Sequence, residues 1–314
     1  MISKIALIGM GAIGGYLAGT LQDFYGDDFY VVAGGARASK LRNEGLLING
    51  KQQYFNVHTP EETETTVDLV ILITKLGALA QACDDIKNYV GPNTLIMCPL
   101  NGVESEDVVG EIFGYDNLIY SLTRASVVKE GNRISFNPNN SFLEIGERKA
   151  GPASDRVQQV KTALEKGGVK CQVQEDMIKA IWEKYVCNVG ENQVAAVLGL
   201  NFGAWWKSDH ANFLRVQTSN EVIAVARAKG IMIDENYAVE HRNRLHKLPE
   251  ANKASTLQDI EHGRRTEVEM FAGTMIKYGK ELGIETPYNE FLYHAIKTLE
   301  EKNEGKICYE GNAV

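Results

Sequence analysis

Long hydrophobic runs are missing from this 314-residue sequence. The most apolar stretch, Leu69 to Cys83, carries Lys75 and is too short to cross ~30 Å of hydrocarbon, so no membrane association is expected. A basic excess is missing too. The 33 Lys and Arg against 41 Asp and Glu leave a formal charge of −8, which argues against a nucleic-acid partner. The five cysteines (Cys83, Cys98, Cys171, Cys187 and Cys308) are odd in number and form no CxxC pair, so they read as reduced thiols. The six histidines include no HExxH, and His241 and His246, five apart, do not share a helical face. Both read as surface residues, and no metal site is expected. Gly199-Leu200-Asn201 lacks the surroundings of a nucleophile elbow. The apolar start, Met1 to Gly14, is broken by glycines and followed by no cleavage site, so it does not read as a signal peptide. The expectation is a soluble, cytoplasmic chain.

What is present is an ordinary globular composition, 44% hydrophobic and 24% charged, in a chain long enough for two domains without disulfide or metal staples. Short apolar runs alternate with helix-like segments through the first half: strands at 4–8, 29–33, 67–74 and 94–99, with helices at 14–21, 39–43 and 76–88 between them. That alternation predicts βαβ units and a parallel sheet. Residues 119–145 look β-rich, either as an extension of the sheet or as an antiparallel edge, with turns at Glu130-Gly131-Asn132 and Asn137-Pro138-Asn139. After a helix at 153–166 and a strand at 169–173, only helical periodicity remains, at 178–198, 212–229, 254–282 and 289–302. The expected organisation is α/β: a doubly wound parallel-sheet dinucleotide-binding domain over 1–170, then an all-helical domain over 171–314.

Gly9-Met10-Gly11-Ala12-Ile13-Gly14 matches GxGxxG directly after the first strand and at the opening of a helix. The first glycine suits a tight turn, the second lets backbone approach a pyrophosphate, and the third lets helix and strand pack closely. The free N–H groups and positive end of the helix dipole would meet the diphosphate. An NAD site wants a carboxylate about 20 residues further on. Here the second strand ends in Ala33-Gly34-Gly35, with Arg37 beyond, which favours a 2′-phosphate and hence NADPH over NADH.

In the apolar segment 178–198, Lys184, Asn188 and Asn192 recur every four residues and so fall along one stripe of a helix. Burying an ammonium and two amides unpaired is costly, so the stripe either faces solvent or lines a polar cleft.

Taken in order, the fingerprint, Thr74-Lys75, Asn101-Gly102, Trp182-x-Lys184-x-x-x-Asn188-x-x-x-Asn192, Ser255-Thr256-Leu257-Gln258-Asp259 and Thr266-Glu267 resemble the ketopantoate reductase family over essentially the whole chain. The resemblance implies a Rossmann-type first domain and NADPH-dependent reduction of 2-dehydropantoate, a small 2-keto acid, in a cleft between the domains, together with homodimer formation. It implies Lys184 and Glu267 as catalytic residues and Asn188, Asn192 and Ser255 as substrate-binding residues. On the cofactor side it implies Gly9, Met10, Gly11, Ala12, Ile13, Gly14, Lys75, Asn101 and Ala125, with Arg37 standing in for the family's usual arginine. Ser255 with Gln258 also reads as a helix capping box. Glu267 reads on its own as a solvated helical acid.

The sequence departs from the family pattern at Gly34, where an arginine is usual, at Gln193-Val194-Ala195, at Phe202 and at Glu191. These last changes are expected on the substrate face. They leave two competing readings: a reductase of another small 2-keto acid, or a dinucleotide-sensing protein without chemistry.

Overall fold

A computed structural model describes residues 1–62 and 66–307; Cys308 lies outside the described residues. The chain separates into two compact units, Met1–Ile181 and a second beginning at Trp182.

In the first unit, six parallel strands form the heart of an eight-stranded sheet. In chain order these are β1 (Ile5–Ile8), β2 (Phe29–Val32), then β3 (Leu46–Ile48) and β4 (Lys51–Gln53), which leave the main sheet, followed by β5 (Val57–His58), β6 (Val67–Leu72), β7 (Val90–Met97) and β8 (Leu118–Arg124). The helices of this part are α1 (Ala12–Tyr25), α2 (Gly35–Glu44), α3 (Leu79–Ile86) and α4 (Ser105–Phe113). Strand order runs β5-β2-β1-β6-β7-β8, so the order reverses between β1 and β6, the switch point at which open α/β sheets bind ligands. The central strands are largely apolar because both faces are covered; Ile5, Ala6, Leu7, Leu69, Val70, Ile71 and Leu72 are all fully buried.

The β-rich segment does two things. β9 (Val127–Glu130) and β10 (Arg133–Phe136) form a hairpin that joins β3 and β4 in a separate four-stranded sheet, whereas β11 (Phe142–Gly146) returns antiparallel to β8. This small sheet lies on α1. A Cβ at Gly15 would collide with Ile134, and one at Gly19 with Ile48, so two side-chain-free positions admit the sheet. Tyr16 packs against Phe136 with ring centroids 4.6 Å apart and the planes tilted by 60°.

After α5 (Asp155–Lys166), capped by Ser154 Oγ accepting from Val157 N, comes β12 (Cys171–Val173), which pairs with β11. Cys171 thus belongs to the first sheet, and the chain divides at Ile181/Trp182, inside α6 (Met177–Leu198), rather than at 170/171.

The second unit is helical throughout its described residues: α7 (Ala204–Lys207), α8 (Asp209–Ala228), α9 (Tyr237–Leu245), α10 (Ser255–Glu261), a π-helical turn at Glu269–Gly273, α11 (Thr274–Leu282) and α12 (Pro287–Asn303). The single helix expected over 254–282 is interrupted. Gly263 turns the chain at φ +65°, and Glu300 Oε1 accepts from both the backbone N and Oγ1 of Thr266, at 2.7 Å each. Thr266 and Glu267 therefore sit in a connecting loop, not on a helix. Among the described residues, no helix is long and apolar enough to cross a membrane.

Candidate functional site

Each glycine of the fingerprint meets a different environment. Gly9 has φ +111°, and a Cβ there would collide with the Ile73 carbonyl. A Cβ at Gly14 would collide with the Gly9 carbonyl, whereas one at Gly11 would meet nothing within 4 Å. The turn is thus closed behind Gly9 and Gly14 and open in front of Gly11. Gly11 is the N-cap of α1 and supplies no side chain to the helix's first N–H groups. Nearby, Thr74 Oγ1 is buried with no hydrogen-bond partner. An open backbone with uncommitted donors fits a diphosphate. Met10 is buried, while Ala12 and Ile13 are half-buried in the first turn of α1.

Because β1, β2, β6, β7 and β8 run parallel, the residues just beyond their carboxyl ends share one edge of the sheet. That edge carries the fingerprint after β1, exposed Arg37 in the first turn of α2, exposed Lys75 after β6, half-buried Asn101 after β7 and half-buried Ala125 after β8.

One residue on this edge escaped the sequence reading. Lys129, on β9, reaches across to donate to the Met10 carbonyl at 2.6 Å. Burial, then the charges of Arg37 and Lys40, hold its ammonium below the usual lysine range. Three cations therefore converge beside the glycine turn. The only local signal was a basic residue on a short hairpin, 119 positions from its partner.

In the second unit, α6 carries the polar stripe. Lys184 and Asn188 are half-buried and Asn192 is 8% exposed, so the stripe is not a solvated face. Asn192 Nδ2 donates to Ser255 Oγ at 3.4 Å, joining two of the expected substrate residues across 63 positions. The capping-box reading of Ser255 is corrected: the N-cap of α10 is Ala254, and Gln258 Nε2 donates to the Lys253 carbonyl. Glu267 is half-buried, and its carbonyl accepts from Met270 N and Phe271 N, which fixes the loop to the start of the π turn.

The departures at 193–195 are buried within the helical unit. Gln193 is fully buried and donates to the Val189 carbonyl and to Asn289 Oδ1, both at 3.1 Å, while Asn289 in turn donates to Glu221. Val194 and Ala195 pack with Trp205 in an apolar cluster. Phe202 packs against the same cluster.

Glu191 is a different matter. It is 7% exposed and lies 3.0 Å from His241 Nε2, so His241, whose side chain is 16% exposed, is not the surface residue expected; His246 is.

Residues 5–150 match the family described as "Ketopantoate reductase PanE/ApbA", and residues 176–300 match "Ketopantoate reductase PanE/ApbA C terminal". The chain is 28% identical over 305 residues to the 2-dehydropantoate 2-reductase of Pyrococcus horikoshii, covering 96% of this chain and 99% of that one. Among solved structures it resembles D-mandelate dehydrogenase with NADH and anilino(oxo)acetate, with a TM-score of 0.86 at 24% identity, covering 96% of this chain and 99% of that one. It also resembles the 2-dehydropantoate 2-reductase of Geobacter metallireducens, with a TM-score of 0.82 at 24% identity, covering 94% and 99%.

Proposed function

Because the chain belongs to the ketopantoate reductase family, we propose that it reduces 2-dehydropantoate to pantoate with NADPH as the reductant. The observation that carries this reading is the row on α6. Lys184, Asn188 and Asn192 are withdrawn from full solvation, and the last is tied to Ser255.

Reducing a ketone requires a hydride, which the dihydronicotinamide supplies when bound, and a proton together with stabilisation of negative charge at the carbonyl oxygen. The Lys184 ammonium meets both of these last needs. Asn188, Asn192 and Ser255 offer amide and hydroxyl groups that hydrogen-bond the substrate's carboxylate and hydroxyl without adding charge. Glu267 serves to set the position and charge of Lys184. In the first unit, Gly9 to Gly14 hold the diphosphate, with Lys75, Asn101 and Ala125 along the same edge. Arg37 and Lys129 favour a 2′-phosphate, since no carboxylate stands at the end of β2 to repel it. Burial of Gln193, Val194 and Ala195 in the helical unit supports 2-dehydropantoate over another 2-keto acid, because these departures alter packing and not a binding face. Assembly as a homodimer belongs to the same reading and is tested by sedimentation.

The deciding experiment follows oxidation of NADPH and of NADH by the purified chain with 2-dehydropantoate and a panel of other 2-keto acids. Lys184→Ala should lower kcat by ~10²–10⁴-fold, the size of a lost general acid. Turnover unchanged by Lys184→Ala, or a chain that binds NADPH tightly but reduces no 2-keto acid, would overturn the proposal.

A further inference from the structure

On α6, next to the stripe just described, Cys187 and Glu191 stand one turn apart on a common face, and α9 brings His241 against them. One donor atom from each lies within 4.8 Å of the other two. The His241–Glu191 contact is short, 3.0 Å between Nε2 and Oε1, yet it is not a hydrogen bond: Glu191 Oε1 is shielded from solvent and has no hydrogen-bond partner. His241 Nδ1 is likewise buried without one. The nearby Arg215 guanidinium partly offsets the charge of this buried carboxylate, but an oxygen shielded from water with no donor still costs stability.

Two donors this close that do not point at each other have the geometry of two ligands aimed at a shared third atom. With bonds of ~2.0–2.1 Å from nitrogen and oxygen, ligands of one ion stand roughly 3–3.5 Å apart. Buried polar atoms without partners are also where an ion or water is to be sought.

We propose that Cys187, Glu191 and His241 form a binding site for a divalent transition-metal ion of the Zn²⁺ class, with solvent completing the coordination. The donor set selects this class. Thiolate and imidazole disfavour Mg²⁺ and Ca²⁺, which take oxygen ligands, whereas a sulfur–nitrogen–oxygen set suits zinc. Charge balances as well. The thiol loses its proton to solvent, and thiolate plus carboxylate neutralise the dication, so the occupied site itself carries no net charge beside the buried guanidinium of Arg215, which Asn212 Oδ1 and the Ala238 carbonyl hold. Outer support is in place too: the Tyr237 hydroxyl is hydrogen-bonded to Cys187, and its ring lies nearly parallel to that of His241, at 16°. The ion would tie α9 to the helix that carries Asn188 and Asn192.

The test strips the full-length chain with chelator and titrates it with Zn²⁺ against a chromogenic competitor, then with Co²⁺ as a spectroscopic probe. One saturable equivalent is expected, together with a thiolate-to-cobalt charge-transfer band and a melting temperature raised by Zn²⁺. Cys187→Ser and His241→Ala should each weaken binding by at least ~10²-fold. The wild-type cobalt spectrum decides the matter even if a variant folds poorly. Absence of saturable binding, a cobalt complex without the thiolate band, or wild-type affinity in both variants would overturn the site.

Discussion

Replacing Gly11 with alanine separates the binding role of the glycine turn from its structural role. Gly11 has φ −76° and ψ −158°, which alanine adopts freely, and the added methyl would meet no atom within 4 Å. Two small effects on stability oppose each other. Loss of chain entropy in the unfolded state favours alanine by ~0.4–1 kcal/mol, and alanine is the poorer N-cap by about the same amount. Net stability should stay within ~1 kcal/mol of the parent, and the melting temperature within about 3 °C.

Binding should respond very differently. The methyl occupies the open front of the turn, where a diphosphate must approach the N–H groups of α1. Each charge-assisted bond to phosphate that is displaced costs ~1.5–3 kcal/mol, so NADPH affinity should fall by roughly 10–150-fold. Fluorescence titration of NADPH beside a thermal melt reads both quantities. Unaltered NADPH affinity would show that the turn is not the phosphate cradle. A collapse of the melting temperature would show instead that Gly11 is a structural position like Gly9, whose replacement must fail on sterics alone.

Lys129→Met keeps most of the stem but removes the charge beside Arg37 and Lys40; it should weaken NADPH by ~10-fold or more, and NADH less, by equilibrium titration. Glu106 on α4 is buried, and burial raises its carboxyl to about 7. The folded state therefore holds a proton that the unfolded chain releases near pH 4.5, and stability should fall by roughly 3 kcal/mol as pH rises from there to 7, then level off. Denaturant melts across pH should show that slope, and Glu106→Gln should flatten it. Asn289→Ala removes one buried side-chain partner each from Gln193 and Glu221, leaving Glu221 the backbone donors of residues 288 and 289, and should cost ~1–3 kcal/mol, measured by chemical denaturation, without changing NADPH affinity.

The parallel sheet was legible because its strands are buried on both faces, so Ile5–Ile8 and the stretch from Leu69 to Ile73 read as unbroken apolar runs, the first ending at Gly9 and the second at Thr74. The small second sheet was not. Leu46–Ile48 and Lys51–Gln53 are three-residue strands, one of them wholly polar, and β3 pairs in parallel with a strand far along the chain. Lys129 was hidden for the same reason, since its role depends on that long-range pairing. On α6, helical spacing made the Lys184–Asn192 stripe readable, but spacing could not show that Gln193 finds Asn289 or that Glu191 finds His241. The break before Glu267 depends on Glu300 of α12, a contact outside any local pattern.

The sheet that lies on α1 also orders events during synthesis. The glycine turn and α1 leave the ribosome first, but the strands that cover Gly15 and Gly19 are complete only at Phe136. At roughly 5–20 residues per second, one flank of α1 stays uncovered for on the order of ten seconds. Throughout that interval Leu46 and Ile48, buried in the finished protein, lack their partner Ile134. The nascent chain is then most open to misassociation at the segment on which dinucleotide recognition depends, and a pause in translation before residue 127 would lengthen the exposure.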